Sequence, residues 1–334
     1  MGVIEMRVAL FAADYFAVPL CEALIESKDL AVLVTQPDKP SGRGRVSTPM
    51  PVREIAEKAN IPVCTPESLK DPDFKAQFEE INPQIPIVAA YGEYIPSWIR
   101  DWHPFPCINV HPSLLPRWRG ADPIRAAIIN GDPKTGVTIH FTERKLDSGD
   151  ILVRFETRIL PDETYNQLRD FLALASVGLI KNLLARLMEI SVRALAGLEE
   201  FPSKETIGRI LQVSKQNEKN ATYAPKLEKD SWWIDWEKDG QTVHNLIRGL
   251  SPDPGARTGP KDKPLIILRT SLMENMSGEP GCVVKANRDG LWVAAGTGVI
   301  SIISLQPSGK RIMNAPDYIN GYRPKIGGPL VGES

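Results

Sequence analysis

The sequence predicts an α/β domain with a mostly parallel sheet, followed by a smaller domain of short strands. Up to about residue 190, apolar strand-like runs alternate with helical segments, which is typical of βαβ units with both sheet faces covered. From residue 231 onward, short strands are separated by Gly, Pro and Asn turns, which favours a small β-barrel of the OB kind. The length of 334 residues also indicates two hydrophobic cores.

The elements of the first half follow from their hydrophobic periodicity. Apolar runs predict strands over residues 7–11, 30–34, 61–63, 85–90, 107–110 and 137–141, and helical patterns cover 17–26, 52–59 and 164–189. Thr164 and Gln167 have the spacing of a capping box at the start of the last and longest helix, and Phe171, Leu172 and Leu183 are among the residues expected on its apolar face. Pro86 cannot donate a ladder hydrogen bond, so we place it at the start of its strand or on an unpaired flank.

The second half reads differently. Strands are predicted over 265–268, 282–285, 291–294 and 299–305, with Asp289-Gly290 as a hairpin turn. Residues 191–231 resemble a charged connector. We therefore predict a catalytic domain over 6–190, a linker over 191–208 and a second domain over 209–330.

Charge and cysteine content exclude several classes of protein. The chain carries 40 Lys+Arg and 41 Asp+Glu, net −1, but residues 191–334 carry 19 and 16, net +3, which is compatible with a polyanionic partner. The four cysteines lie far apart without a zinc pattern, which indicates reduced thiols and no metal. The sequence has no recognisable signal peptide and no stretch of about 18 apolar residues, so we predict a cytoplasmic protein that does not enter a membrane. We also expect it to be a monomer.

Common catalytic motifs are missing from the sequence. There is no GxGxxG after the first strand, no GxxxxGKS, no HExxH and no GxSxG. These absences argue against a dinucleotide dehydrogenase, a P-loop enzyme, a zincin and an α/β-hydrolase.

Polar residues are concentrated between residues 108 and 151. Asn109 and His111 are one residue apart on a strand, so they point to the same side at its carboxyl end, where open α/β sheets bind ligands. Asp147, in a later turn, is a candidate acid–base partner for His111. The same residues also fit a structural strand end and an Asx turn, and His103, His140 and His244 are interpreted as locally satisfied. The residues alone indicate an amide, an imidazole and a carboxylate suited to acyl or one-carbon transfer.

A family resemblance narrows this interpretation. The stretches 109–120 (NVHPSLLPRWRG), 135–138 (TGVT) and 146–150 (LDSGD) resemble the folate-dependent formyltransferases. The loop 35–44 (TQPDKPSGRG) is similar to the basic loop of family members that act on methionyl-tRNA, and the second half has similar segments at IDW (234–236), IRG (247–249), PGA (254–256) and LQPSGK (305–310), with Met313. The resemblance runs from Met6 to Arg323. It implies a Rossmann-like formyltransferase domain with a parallel-type sheet and a C-terminal OB-like β-barrel that binds tRNA.

The resemblance also implies site residues. Asn109, His111 and Asp147 match the catalytic trio of the family. The matches to its tetrahydrofolate-binding segment are Ser113, Leu114, Leu115 and Pro116, and those expected to contact tRNA are Lys39, Arg43, Arg45 and Lys310. The implied reaction moves the formyl group of 10-formyltetrahydrofolate to the α-amine of initiator methionyl-tRNA without a metal. Asn109 and His111 would donate hydrogen bonds to the developing oxyanion.

Two departures leave the acceptor open. Ala12-Ala13-Asp14 stands where the family usually has Gly-Thr-Pro, and Asp122 stands where it has a small apolar residue. One alternative keeps the chemistry but formylates an amino-sugar nucleotide. Another is a formyltetrahydrofolate hydrolase or a tRNA-binding protein without turnover.

Overall fold

The computed structural model describes residues 6–38, 40–41, 46–47, 50–197, 201, 203–273 and 276–331. The strands are β1 Val8–Ala12, β2 Leu30–Val34, β3 Pro40–Ser41, β4 Val46–Ser47, β5 Val63–Cys64, β6 Ile85–Ala89, β7 Ile108–His111, β8 Arg119–Gly120, β9 Lys134–Phe141, β10 Ile151–Arg158, β11 Tyr223–Ala224, β12 Ala256–Thr258, β13 Leu265–Met273, β14 Val283–Asn287, β15 Gly290–Ala294, β16 Val299–Pro307 and β17 Met313–Asn314. The α-helices are α1 Val18–Glu26, α2 Pro51–Lys58, α3 Pro72–Ile81, α4 Ser97–Arg100, α5 Pro123–Ile129, α6 Tyr165–Leu195, α7 Lys204–Leu211, α8 Gly240–Leu250 and α9 Ala315–Tyr322.

The chain forms two compact units that are not simply its two halves. The first comprises the chain up to Ala121, Gly136–Glu156 and Arg169–Tyr223; the second comprises Asp122–Thr135, Thr157–Leu168 and the chain from Ala224 onward. The region predicted as a linker includes the start of α7, whose buried side chains belong to the first unit. The boundaries at 190 and 208 stay predictions.

The first unit contains a seven-stranded sheet in the order β10-β9-β7-β6-β1-β2-β5. The pairs β1–β2, β1–β6, β2–β5 and β6–β7 are parallel, so the predicted α/β class is confirmed, but β7 and β9 are antiparallel. Pro86 is the second residue of β6, and β7 pairs only from Ile87 onward. This register leaves the flank of Pro86 toward β7 without a ladder bond, as proline requires.

Helix α6 begins with the predicted capping box. The Thr164 amide and hydroxyl both donate to Gln167 Oε1, at 3.0 and 2.9 Å. Leu172 and Leu183 lie in the core as expected, but the placement of Phe171 on the apolar face is wrong, because its side chain is 46% exposed against the ring of Phe155. By length and apolar content α6 could cross a membrane, but its buried leucines identify it as a core helix.

The second unit is built on an antiparallel sheet in the order β12-β13-β16-β15-β14, with β17 paired to β16. Helix α8 contributes Val243, Ile247 and Leu250 to its core. These strands are consistent with a barrel-like domain, as predicted. The hairpin turn lies one residue earlier than expected, because Gly290 (φ +147°) already pairs with Asn287.

Candidate active site

Strand β7 presents the first two site residues next to β9. In the antiparallel register, Asn109 lies opposite His140, and His111 lies opposite Thr138. His111 and His140 are buried, whereas Asn109 is half-buried. The amide and two imidazoles are therefore held by two paired strands rather than by a flexible loop.

The turn after β9 carries Asp147 with a left-handed backbone (φ +48°). The turn lies close to the backbone behind it: a Cβ added at Gly149 would be 1.8 Å from the Phe141 carbonyl oxygen. Because real Cβ atoms do not come that close, glycine is needed where the turn crosses the end of β9. The tight turn fixes the direction in which the Asp147 carboxylate points.

The Asp147 carboxylate is at the centre of the hydrogen-bonded cluster. Its Oδ1 accepts from Asn109 Nδ2 at 3.1 Å, and its Oδ2 accepts from the Gly120 amide at 2.8 Å. His111 Nδ1 lies 3.7 Å from Oδ2, and His140 Nε2 lies 3.6 Å from Oδ1. The sequence-predicted trio is thus brought together, with His140 as a fourth member.

Backbone carbonyls determine the tautomers of both imidazoles. His111 Nε2 lies 2.8 Å from the Trp118 carbonyl oxygen, and His140 Nδ1 lies 2.8 Å from that of Phe141. Since a carbonyl only accepts, each of these nitrogens carries a proton. A neutral His111 therefore has a free lone pair at Nδ1, and a neutral His140 accepts from Asn109 Nδ2 at Nε2, 3.2 Å away.

Burial and charge set the protonation states. Burial lowers the pKa of His111, although the Asp147 carboxylate and the Trp118 carbonyl oppose the shift. Burial by itself would raise the pKa of Asp147, but the imidazoles of His111 and His140 and the Gly120 amide together hold it well below its usual range. Because its pKa is lowered, His111 is neutral at neutral pH. Asp147 still faces it as a carboxylate, since the hydrogen bond from the Gly120 amide does not depend on the charge of an imidazole.

The segment after β7 forms a wall beside the cluster. The Ser113 hydroxyl donates to the Arg117 carbonyl oxygen at 2.6 Å, and Thr138 Oγ1 donates to the Ser113 carbonyl oxygen at 2.6 Å. Ser113 and Leu115 are fully buried, whereas Leu114 and Pro116 are partly exposed. Of the side chains expected to bind folate, those of Leu114 and Pro116 are accessible.

Sequence reasoning missed three contributors to the site. The sequence predicts a locally satisfied His140, but the antiparallel pairing of β7 with β9 brings it to Asn109. Arg119 and Gln216 form a hydrogen-bonded pair, and Gln216 reaches the turn of Asp147 from 69 residues away. The alternation along strand 137–141 could have indicated His140, whereas no local pattern indicates Gln216.

The residues expected to contact tRNA are only partly described. Lys39, Arg43 and Arg45 lie outside the described residues. Lys310 is exposed in the turn after β16, where its amide donates to the Pro307 carbonyl oxygen at 3.0 Å.

Both departures from the family pattern have local structural roles. Asp14 caps a short 3₁₀ helix over Tyr15–Ala17 by accepting from the Phe16 amide at 2.9 Å. In the second unit, Asp122 pairs with Arg125 at 3.1 Å. Arg125 also lies over the ring of Tyr165, 3.7 Å from its centroid. The added carboxylates are thus engaged within the protein.

Two family models cover most of the chain. One described as formyl transferase matches residues 6–181, and one described as formyl transferase, C-terminal domain, matches residues 226–323. This chain belongs to the formyl transferase family. It is therefore an enzyme of formyl transfer, and the Asn109–His111–Asp147 cluster lies within the first matched region.

Curated relatives extend the match to nearly the full length. The chain is 38% identical over 332 residues to a methionyl-tRNA formyltransferase of Acetivibrio thermocellus, covering 98% of this chain and 100% of the relative. It is also 38% identical to the enzyme of that name from Geotalea uraniireducens, covering 95% of this chain and 96% of the relative.

Solved structures share the fold at low sequence identity. HypX from Aquifex aeolicus in complex with tetrahydrofolic acid has a TM-score of 0.62 at 16% identity, covering 97% of this chain and 48% of that chain. The sugar 3N-formyl transferase WlaRD has a TM-score of 0.58 at 17% identity, covering 92% of this chain and 100% of that chain. Identities this low support the formyltransferase fold alone.

Proposed function

We propose that this formyl transferase moves the formyl group of 10-formyltetrahydrofolate to the α-amine of initiator methionyl-tRNA, acting in the cytoplasm as a monomer. The observation that carries the proposal is the cluster of Asn109, His111 and Asp147 in a chain 38% identical to methionyl-tRNA formyltransferases over nearly its whole length. The product would be N-formylmethionyl-tRNA for translation initiation.

In the proposed reaction, a bond forms between the α-amine nitrogen and the formyl carbon, and the bond from that carbon to the folate nitrogen breaks. Negative charge develops on the formyl oxygen, and we assign Asn109 Nδ2–H as its donor. Such a donor contributes about 10²–10³ in rate. Asn109 fits this role because its side chain is half-buried next to the buried imidazoles.

We assign proton transfer to His111, instead of the oxyanion hydrogen bond that the resemblance implies, because its N–H is already bonded to the Trp118 carbonyl oxygen. Because Nε2–H is bonded to Trp118, the free lone pair at Nδ1 accepts the proton of the attacking amine and then returns it to the leaving folate nitrogen. An α-amine has a pKa of about 7.7–8.0, so a strong base is not needed near neutral pH. Asp147, 3.7 Å away, stabilises the imidazolium formed in between.

We assign folate contacts to the segment Ser113, Leu114, Leu115 and Pro116. The buried hydroxyl of Ser113 is bonded internally, so the accessible side chains of Leu114 and Pro116 would contact the pterin. For tRNA, Lys39, Arg43, Arg45 and Lys310 would contact phosphates.

Transfer of a labelled formyl group tests the proposal. The protein is incubated with labelled 10-formyltetrahydrofolate and, in parallel, charged initiator tRNA, uncharged tRNA or a UDP-amino sugar. Label on the charged tRNA alone supports the proposal. Label on the sugar would show that the acceptor is an amino sugar and not methionyl-tRNA. Release of free formate without an acceptor would indicate a hydrolase.

A further inference from the structure

A segment far along the chain contacts both sides of the site. We call residues 214–222 the brace segment. Ser214 pairs with Ile151 through two backbone hydrogen bonds of 2.8 and 2.9 Å, and the Thr222 carbonyl accepts from the Arg119 amide at 2.9 Å. The brace segment thus joins the strand after the catalytic turn to the loop after β7.

Gln216 is the side chain of the brace segment that holds the turn itself. Its Nε2 donates to the carbonyl oxygens of Asp147 and Gly149, both at 2.8 Å. Its Oε1 accepts from Arg119 Nε at 3.1 Å and Nη2 at 2.7 Å. Both amide hydrogens and the amide oxygen are therefore used, which fixes the orientation of the side chain.

Arg119 is itself rigidly held. Its side chain is 0% exposed, and it donates to both carboxylate oxygens of Glu218, at 3.2 and 2.7 Å. The hydrogen bonds of Arg119 and then Lys145 lower the pKa of Glu218 to about 2, so the pair stays ionised. Because the Arg119 guanidinium is buried and donates to both carboxylate oxygens of Glu218, it holds the amide oxygen of Gln216 in one position.

We propose that Gln216, oriented by Arg119, is a positioning residue for formyl transfer: it holds the Asp147 turn in the position from which the carboxylate meets Asn109, His111 and the Gly120 amide. This inference rests on the proposed function, because the reaction to be impaired is formyl transfer. A displacement of about 1 Å at reacting groups can cost about 10²-fold in rate. Within the described part of the chain, the hydrogen bonds of the Gln216 side chain go to Arg119 and to the backbone carbonyls of Asp147 and Gly149.

The discriminating variant is Gln216→Glu. A carboxylate still accepts from Arg119, but it cannot donate to the Asp147 and Gly149 carbonyl oxygens. The matched control is Gln84→Glu. Gln84, like Gln216, is half-buried and has hydrogen bonds at both atoms of its amide: Oε1 accepts from the Arg7 amide at 3.0 Å, and Nε2 donates to Ser191 Oγ at 3.3 Å. It precedes β6 at the opposite, amino end of the sheet.

We expect Gln216→Glu to lower kcat about ten- to hundredfold while KM for both substrates changes less than about twofold. Gln84→Glu should keep kcat within about twofold. Equal losses in both variants, a loss confined to KM, or an unchanged kcat in Gln216→Glu would overturn the proposal.

Nuclear magnetic resonance separates this inference from the proposed function. The Gly120 amide donates to Asp147, so its resonance and those of the His111 ring report the position of the carboxylate. Both should shift in Gln216→Glu and not in Gln84→Glu, whichever acceptor the wild type formylates. If the wild type transfers no formyl group to methionyl-tRNA, the proposed function fails, and these shifts alone decide on the role of Gln216; unchanged shifts would refute it.

Discussion

Replacing Asp147 with asparagine tests the centre of the site, because the described groups that face its carboxylate are two hydrogen-bond donors, from Asn109 and Gly120, and two imidazoles. Oδ1 accepts from Asn109 and Oδ2 accepts from the Gly120 amide. In Asp147→Asn, one of these positions becomes an NH₂ group that faces another N–H. One donor is left without an acceptor, which costs about 1–3 kcal/mol of the free energy of unfolding.

The same substitution removes the charge that stabilises protonated His111. Proton transfer by a positioned group contributes about 10²–10⁴ in rate. We therefore expect kcat for formyl transfer to fall by about that factor in Asp147→Asn. KM for the folate should change much less, because the partly exposed Leu114 and Pro116 are untouched.

The sign of the pH dependence follows from the lowered pKa of Asp147. Its pKa in the folded protein is below the ordinary 3.8. The stabilisation is therefore fully present above that ordinary value and is lost as pH falls toward the folded-state pKa. The difference in unfolding free energy between wild type and Asp147→Asn should be constant from about pH 7 to 8, and the contribution of the Asp147 carboxylate should shrink below about pH 4.

Urea denaturation followed by tryptophan fluorescence measures stability, and labelled formyl transfer measures kcat. Asp71→Asn is the matched control: Asp71 accepts one amide, that of Asp73 at 2.9 Å, at the start of α3, and asparagine caps a helix equally well. Wild-type turnover in Asp147→Asn, or a stability difference that still grows as pH falls below about 4, would refute the reasoning.

Three further predictions concern single substitutions. Asn109→Ala should lower kcat about 10²–10³-fold with an intact circular dichroism spectrum, and near-normal turnover would remove it from the oxyanion role. Gly149→Ala should lower both Tm and kcat, because the new methyl would meet the Phe141 carbonyl at 1.8 Å; Gly178→Ala, with nothing within 4 Å, should lower neither. Arg43→Ala should raise KM for methionyl-tRNA much more than KM for folate, and equal increases in steady-state assays would contradict tRNA contact.

Local patterns were sufficient to predict much of the fold and part of the site. Alternation along 107–110 placed Asn109 and His111 on one side of a strand end, because successive side chains point to opposite faces. Residue type and spacing alone predict the capping box of Thr164 and Gln167, and this box lies at the start of α6. Roles for these residues still depend on the experiments above.

Contacts between residues that are far apart in the chain could not be predicted from local sequence patterns. His140 reaches Asn109 because β9 runs antiparallel to β7. An apolar run of five residues predicts neither the direction of its strand relative to a neighbour nor the register of the pair. Gln216 lies 69 residues from Asp147 in a charged stretch predicted to belong to the second domain. Phe171 fitted the helical periodicity but lies over β10 at the edge of the sheet, where the core does not cover it.

The hydrogen bonds within the cluster suggest how the site can be both stable and reactive. Asn109 donates to Asp147 and His140, so the formyl oxygen receives a hydrogen bond only when one of these is exchanged. Losing the neutral hydrogen bond to His140 costs about 0.5–1.5 kcal/mol. A donor to the developing oxyanion contributes about 2.7–4 kcal/mol. The exchange is therefore favourable in the transition state, and the same two bonds keep the amide oriented before the substrate arrives.

His140 is thus expected to matter for the orientation of Asn109 rather than for proton transfer, and His140→Leu should lower kcat less than Asn109→Ala does in the labelled formyl assay. A larger loss in His140→Leu would assign the imidazole a direct part in the chemistry.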